Sequence, residues 1–415
     1  MTNYTTLGHN LKRGIFKFSE KICTPFSKPI QKFIFQMIFG LLAGRKCFLT
    51  EIARKLNEKI PLCKTVERLS RNLMNFDGAD ELHENYVCEV KRHFDDTTVF
   101  LFDDSDIAKN KSKKLEGLCG IYDGSEGETS VGYWYAGVSA LTCKNQQPIP
   151  VYSRVYSSLE DDYEGNNAET IKSLEFVSKH FPKSNIRAFD RAYDGGFVFD
   201  YLIANDEKFI VRMKDRYVLH KGEKILLKQL ARKYKGKYSL KFKSKNGKKI
   251  NCKISVIPVS LLDYPDKIFN LVICNKGSNE PMMLLTNLES DDSRLCVTVV
   301  KVYLIRWRIE EYYKFKKQGF AFEKFLVRSL KSIRNLDTLL TIAIGYIGTL
   351  SEKINESIMV AEIIEASKRL YGLSKFTFYA IADGLTAIFG KLYSGIECFF
   401  NRPPDDGQLS LDLTW

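Results

Sequence analysis

Tyr303, Arg306, Glu310 and Lys317 are the residues whose types and spacing most directly suggest chemistry, separated by three, four and seven positions. At about 100° per residue on a helix, their azimuths fall within roughly 60° of one another, over about 21 Å of axis. One helix face then carries an aromatic ring, a guanidinium, a carboxylate and an ammonium. A carboxylate flanked by cations can hold a metal ion and grip nucleic-acid phosphates. Taken alone, the pattern also describes an ordinary salt-bridged, solvated helix face. Against that plainer reading stand two upstream aspartates, Asp103 and Asp190, each closing a β-prone apolar run.

Phosphodiester chemistry is slow because the attacking oxygen must approach an anion and the leaving oxygen departs charged. Two divalent cations about 3.5–4 Å apart answer both problems. Carboxylates from separate elements suit Mg²⁺ or Mn²⁺ as hard oxygen ligands. The candidates are Asp103 after a first strand, Asp190 after a fourth and Glu310 on a late helix, the first two 87 positions apart and the last two 120. The five histidines form no Ser-His-Asp or Cys-His order. Gly117–Gly127 lacks the Gly-Lys-Ser/Thr ending of a phosphate loop, so no nucleotide is expected.

The four helix residues match the Y-x2-R-x3-E-x6-K signature of bacterial DDE insertion-sequence transposases, and Arg306-Trp307-Arg308-Ile309-Glu310-Glu311 resembles that group closely. Asp103-Asp104-Ser105-Asp106-Ile107 resembles its D-x-S-D-I form, and Phe189-Asp190-Arg191-Ala192-Tyr193-Asp194 its D-R-x-Y/F-D element. The chain is similar to the IS-four family. This resemblance implies a catalytic, metal-binding triad of Asp103, Asp190 and Glu310, with Asp104 the alternative first ligand. It implies two Mg²⁺ ions, with Mn²⁺ able to substitute, and Tyr303, Arg306 and Lys317 gripping the transposon end. The partner would be double-stranded DNA, as terminal inverted repeats and as target, with a homodimer pairing two ends in a synaptic complex. The expected activity is cut-and-paste transposition by strand cleavage and strand transfer, in the bacterial cytoplasm at the nucleoid. Two other classes fit parts of the pattern: a domesticated or inactive transposase acting as a DNA-binding regulator, and a metal-dependent RNase H-like nuclease. The intact acids weigh against the first, and the basic head and long insertion against the second.

The elements that must position these residues follow from periodicity. Thr97–Phe102, Gly132–Leu141, Pro148–Tyr156, Ile186–Phe189 and Phe209–Met213 read as strands, and Asn167–His180 as a helix. That order, with acids after strands one and four, resembles an RNase H-like fold: an α/β mixed-sheet catalytic core with a β-rich insertion and helical regions at both ends. The expected division is a basic helical DNA-binding domain at 1–95, the first part of the core at 96–213, the insertion at 214–295, the Glu-bearing helix at 296–325, and a C-terminal helical region and tail at 326–415. Within the head, Thr50 reads as the N-cap of a helix over Glu51–Asn57. After a break at Ile60-Pro61 comes a second helix over Lys64–Met74. Two short helices carrying Arg54, Lys64, Arg68 and Arg71 suggest a helix-turn-helix-like reader. In the insertion, Asn246-Gly247 signals a hairpin turn. Tyr234, Tyr238 and Phe242 interleave there with lysines, which suits single-strand or hairpin-end contacts and equally a hairpin with a solvated lysine face.

Composition agrees with a nucleic-acid partner. The 415 residues are 44% hydrophobic and 27% charged, with a net charge of +13. Residues 1–75 hold fourteen Lys/Arg against four Asp/Glu, so +10 of that charge sits in under a fifth of the chain. Ten cysteines without a C-x2-C pair imply reduced thiols rather than zinc or disulfides. The start lacks a signal-peptide pattern, and the longest apolar run, Leu339–Leu350, is too short to span a bilayer. No membrane association is expected.

Overall fold

The computed structural model describes residues 4–123, 127–243, 249–275, 280–392 and 395–400. The chain forms two compact units, residues 1–89 with 317–415, and residues 90–316. The first opens with α1 (Tyr4–Cys23), α2 (Lys28–Gly44), α3 (Leu49–Leu56), α4 (Leu62–Asn75) and α5 (Ala79–Val90). In α2 every residue from Phe33 to Ala43 is buried. A helix apolar on all sides must be enclosed, and α1 and α3 pack on it. The helix expected from Glu51 starts earlier, because the Phe48 carbonyl accepts from Glu51 N–H at 2.9 Å and Ile52 N–H at 3.0 Å. Phe48 is therefore the N-cap and Thr50 lies inside the first turn. Asn57, in the left-handed region at φ 48°, ends α3, and Pro61 caps α4.

The second unit is built on β1 (Val99–Ala108), β2 (Cys119–Asp123), β3 (Glu128–Leu141), β4 (Pro148–Tyr156), α6 (Asn166–His180), β5 (Ile186–Phe189), α7 (Gly196–Ala204) and β6 (Lys208–Arg212). Its core runs β4-β3-β1-β5-β6. β3 runs antiparallel to both β4 and β1, whereas β1, β5 and β6 are parallel, with α6 leading from β4 into β5 and α7 from β5 into β6. This is the RNase H-like mixed sheet that the element order implied. The short β2, on the edge of β3, was not foreseen.

The insertion supplies β7 (Tyr217–His220), β8 (Glu223–Leu226), α8 (Leu227–Lys233), β9 (Tyr238–Lys243), β10 (Lys249–Leu261), β11 (Tyr264–Asn275) and β12 (Met282–Thr286). β12 pairs antiparallel with β6, Leu284 opposite Arg212, so the insertion extends the core sheet instead of forming a separate layer. β9 and β10 pair up to Lys243 opposite Lys249. The Asn246-Gly247 turn lies outside the described residues.

The chain returns through α9 (Asp292–Ile305) and α10 (Trp307–Lys314), followed by a π turn over Phe315–Gly319. The single continuous helix face expected for residues 303–317 is not formed. Arg306 N–H bonds Tyr303 O at 3.2 Å and Ile309 N–H bonds Arg306 O at 3.1 Å, i→i+3 spacings that tighten the turn at Arg306. The π turn then widens it, so the step of about 100° per residue fails at both places. The helix also begins earlier than expected, capped by Asp291, whose side chain accepts from Arg294 N–H.

α11 (Leu330–Glu352), α12 (Ile358–Ala366) and α13 (Phe378–Phe389) complete the first unit, α11 and α13 packing on α2. The apolar run Leu339–Leu350 is the buried centre of α11. Among the described residues no single helix is long and apolar enough to cross a membrane. The tail Pro403–Gly407 lies outside them.

Candidate active site

β1 does not stop at its acids, as the sequence suggested. It continues to Ala108 because β3 pairs with it throughout, Asp103 opposite Gly137 and Asp106 opposite Trp134. What stops is the pairing with β5, whose last matched pair is Leu101 and Ala188. Two residues further on, Asp103 and Asp190 occupy corresponding positions where the parallel strands part. The carboxyl edge of such a sheet is where α/β folds place ligands. Asp190 is also the N-cap of a short 3₁₀ turn, its Oδ1 accepting from Ala192 N–H at 2.6 Å. One cap bond aims a carboxylate and leaves most of its acceptor capacity.

Alternation along β1 sends Asp103 and Asp104 to opposite faces. Asp103 meets Arg306, its Oδ1 lying 3.6 Å from Nη1. Asp104 accepts from the Tyr193 hydroxyl and senses Glu169 on α6. The structure thus turns Asp103, not Asp104, towards α10. With 17% of its side chain exposed, Asp103 is pushed well above the usual carboxylate range. Burial is the main cause, opposed by Arg306 and reinforced by Asp190, Asp104 and Glu310. Asp104 keeps an exposed surface. Desolvation, with the Asp190 and Glu169 charges, outweighs the Tyr193 bond and pushes it up to about 7.

Arg306 bridges the acids. Its Nη2 donates to Glu310 Oε1 at 2.9 Å, and only 11% of its side chain is exposed. Burial works against its charge, but the surrounding Asp103, Tyr303, Asp190 and Glu310 raise its pKa overall. Tyr303 lies alongside, with the Arg306 guanidinium 6.0 Å and the Arg212 guanidinium 5.8 Å from its ring centroid, and its hydroxyl accepts from Arg212 at 3.3 Å. Tyr303, Arg306 and Glu310 are therefore brought to the acids in the second unit. Lys317 is the first residue of the other unit's second segment, where it pairs with Glu323 at 3.0 Å.

A family model described as "Transposase DDE domain" matches residues 97–345, more than half of the chain and all three acids. The chain belongs to the DDE transposase family. No curated protein matches it. Among solved structures it is similar to a piggyBac transposase synaptic complex with hairpin DNA, determined by cryo-electron microscopy. Identity is 8% and the TM-score 0.44, over 98% of this chain and 83% of that one.

Divalent metal ions are general in DDE transposases. Among the described residues of this transposase, no three His, Cys, Asp or Glu side chains are already gathered as a ligand set. The donor chemistry nonetheless fits: Asp103, Asp190 and Glu310 are hard oxygen donors, the last two within electrostatic reach of the first. A cationic group already stands between Asp103 and Glu310.

Several residues that shape the site were not anticipated. Tyr313, buried on α10, donates to the backbone carbonyl of Asp103, with the Gly137 carbonyl at 3.3 Å. Lys316, also buried, donates to Tyr135 Oη at 2.8 Å and Ser153 Oγ at 3.1 Å, tying the end of α10 to β3 and β4. Asp194, within the D-R-x-Y/F-D element, accepts from Lys214 N–H at 2.6 Å and pairs with Arg216 at 2.8 Å. It fixes the segment leaving β6. Trp307 is half-buried, with the Arg308 guanidinium 4.9 Å from its ring centroid.

In the first unit of the transposase, Arg54, Lys64 and Arg71 are exposed. Arg54 pairs with Glu51, and Lys64 with Glu67 at 3.1 Å. Arg68 is different. It donates to both oxygens of Glu58 at 2.9 and 2.8 Å, and Glu58 also accepts from Gln36 and Thr65. In the insertion, the Tyr234 hydroxyl meets His220 Nε2 at 3.0 Å and Tyr238 donates to Asp292 at 3.4 Å. The Phe242 side chain lies outside the described residues.

Proposed function

We propose that this transposase binds the terminal inverted repeats of an insertion sequence similar to the IS-four family and moves it by cut-and-paste strand cleavage and strand transfer. The observation that carries the reading is the matched position of Asp103 and Asp190 where β1 and β5 part, with Arg306 linking Asp103 to Glu310. Asp103, Asp190 and Glu310 would hold two Mg²⁺ ions, or Mn²⁺ in their place. When bound, such a pair activates the attacking oxygen and stabilises the leaving one. The protein's own share is to bind and orient. Arg306, and Arg212 through its bond to Tyr303, supply donors suited to phosphate oxygens. Lys317, which the family resemblance assigns to this grip, belongs to the other unit. The exposed cations of residues 1–95, Arg54, Lys64 and Arg71 among them, would read or hold the repeat, and the insertion at 214–295 would lie along the DNA end. A homodimer would pair two ends, in the bacterial cytoplasm at the nucleoid.

The test is cleavage of a labelled duplex carrying the element's flanking repeat with Mg²⁺, wild type beside Asp103→Ala, Asp190→Ala and Glu310→Gln. Wild type should cut at the repeat boundary, and each variant should lose at least about a hundredfold in rate while keeping end binding. Cleavage unchanged in Glu310→Gln would remove that residue from the site. Tight binding without cutting by wild type, in Mg²⁺ and in Mn²⁺ alike, would favour a DNA-binding regulator instead.

A further inference from the structure

Arg306 occupies the space between two carboxylates that the proposed function assigns to metal ions. Its guanidinium donates to Glu310 at 2.9 Å and stands 3.6 Å from Asp103, within electrostatic reach of Asp190. Its side chain and that of Asp103 are largely buried, so this pair is poorly screened by water, whereas the Glu310 carboxylate is about half exposed. It is also the junction residue between α9 and α10, outside the regular hydrogen-bond ladder of either. The oxygens facing the guanidinium are ones a divalent cation between Asp103 and Glu310 would need. A divalent cation seated between them would compete with the guanidinium for these oxygens.

We propose that Arg306 is an internal counter-cation: without DNA it neutralises Asp103 and Glu310, and it leaves them for a backbone phosphate when DNA is bound, so that DNA binding and metal binding promote each other. The inference rests on the metal-site reading above. A phosphodiester is the anion suited to draw Arg306 away, because it can take two parallel N–H bonds from a guanidinium. Linkage then requires reciprocity: DNA must raise metal affinity by the same factor as metal raises DNA affinity.

The experiment measures Mn²⁺ binding to the full chain by electron paramagnetic resonance, with and without a short random-sequence duplex, in wild type, Arg306→Gln, Arg306→Lys and Glu310→Gln. Without DNA, Arg306→Gln should bind Mn²⁺ about tenfold more tightly than wild type, although it removes a cation from the DNA grip. Arg306→Lys, with its charge on a different stem, should fall between the two. Adding the duplex should tighten Mn²⁺ binding in wild type and leave Arg306→Gln unchanged. Equal or weaker Mn²⁺ binding by Arg306→Gln, or an equal effect of the duplex on both proteins, overturns the proposal. Should Arg306→Gln fail to fold, an Arg306→Lys affinity at or below wild type overturns it. Glu310→Gln separates the two levels: if it leaves Mn²⁺ binding unchanged, the metal site itself has been misplaced. If it weakens binding while Arg306→Gln does not tighten it, only the counter-cation is lost.

Discussion

Asp103 and Asp104 are neighbours in sequence with different surroundings, and both are pushed above the usual carboxylate range. An aspartate in an unfolded chain titrates near 3.9, whereas Asp104 is pushed up to about 7 by desolvation and by Asp190 and Glu169. Between about pH 4 and 7 the unfolded chain has released this proton while the folded protein still holds it. Folding therefore takes up a proton in that window, and stability falls as pH rises through it, levelling above about 7. Asp104→Asn removes this dependence and leaves an acceptor for Tyr193. Urea midpoints measured across that range should show the variant gaining on wild type as pH rises. Parallel curves would mean that Asp104 titrates normally. Asp103 is shifted in the same direction, so part of the pH dependence should survive in the variant.

The element that brings Glu310 to the acids is α10, and its seating on the sheet depends on a missing side chain. A Cβ at Gly137 would lie 2.6 Å from the Tyr313 hydroxyl and 3.2 Å from its ring. That hydroxyl is bonded to the carbonyl of Asp103, directly opposite Gly137 in the ladder. Gly137→Ala should therefore lower stability by about 1–3 kcal/mol, the usual cost of overpacking, and slow cleavage by displacing the helix. Adding Tyr313→Phe should recover part of the loss, since the closest clashing atom is the oxygen. Thermal unfolding of the single and double variants checks this, and strict additivity would rule out the contact. The sequence revealed some of this arrangement. Apolar runs announced the core strands, and an isolated glycine inside the β3 pattern was a signal of close backbone approach that went unused. The Tyr313 bond spans 210 residues, beyond any local pattern. The break at Arg306 was equally hidden, because Ile305-Arg306-Trp307-Arg308 contains neither proline nor glycine to mark a kink. β1 ran through its acids because β3 paired them, overriding the poor strand preference of aspartate.

For the whole molecule, charge would set how the proposed DNA partner is held. Of the net +13, +10 falls in residues 1–75, and neutralising phosphates releases counterions, so affinity should fall steeply and linearly in log–log plots against salt. The individual cations are not equivalent. Arg71 is exposed, and Arg71→Ala should lower the salt slope by about one while weakening all sequences alike. Arg68→Ala should behave differently, because it strands Glu58, whose side chain is only 8% exposed and which also anchors Gln36 and Thr65. Losing the partner of a nearly buried carboxylate is costly, so that variant should melt earlier, with DNA binding impaired in proportion to unfolding. Filter binding across a salt series, beside thermal melts, distinguishes the two. If neither Arg71→Ala nor its counterparts at Arg54 and Lys64 changes the slope, the phosphates are held elsewhere, and the lysines between Lys228 and Lys253 become the place to look. That outcome would separate charge from contact: the head would then draw DNA by its field alone while the insertion holds it.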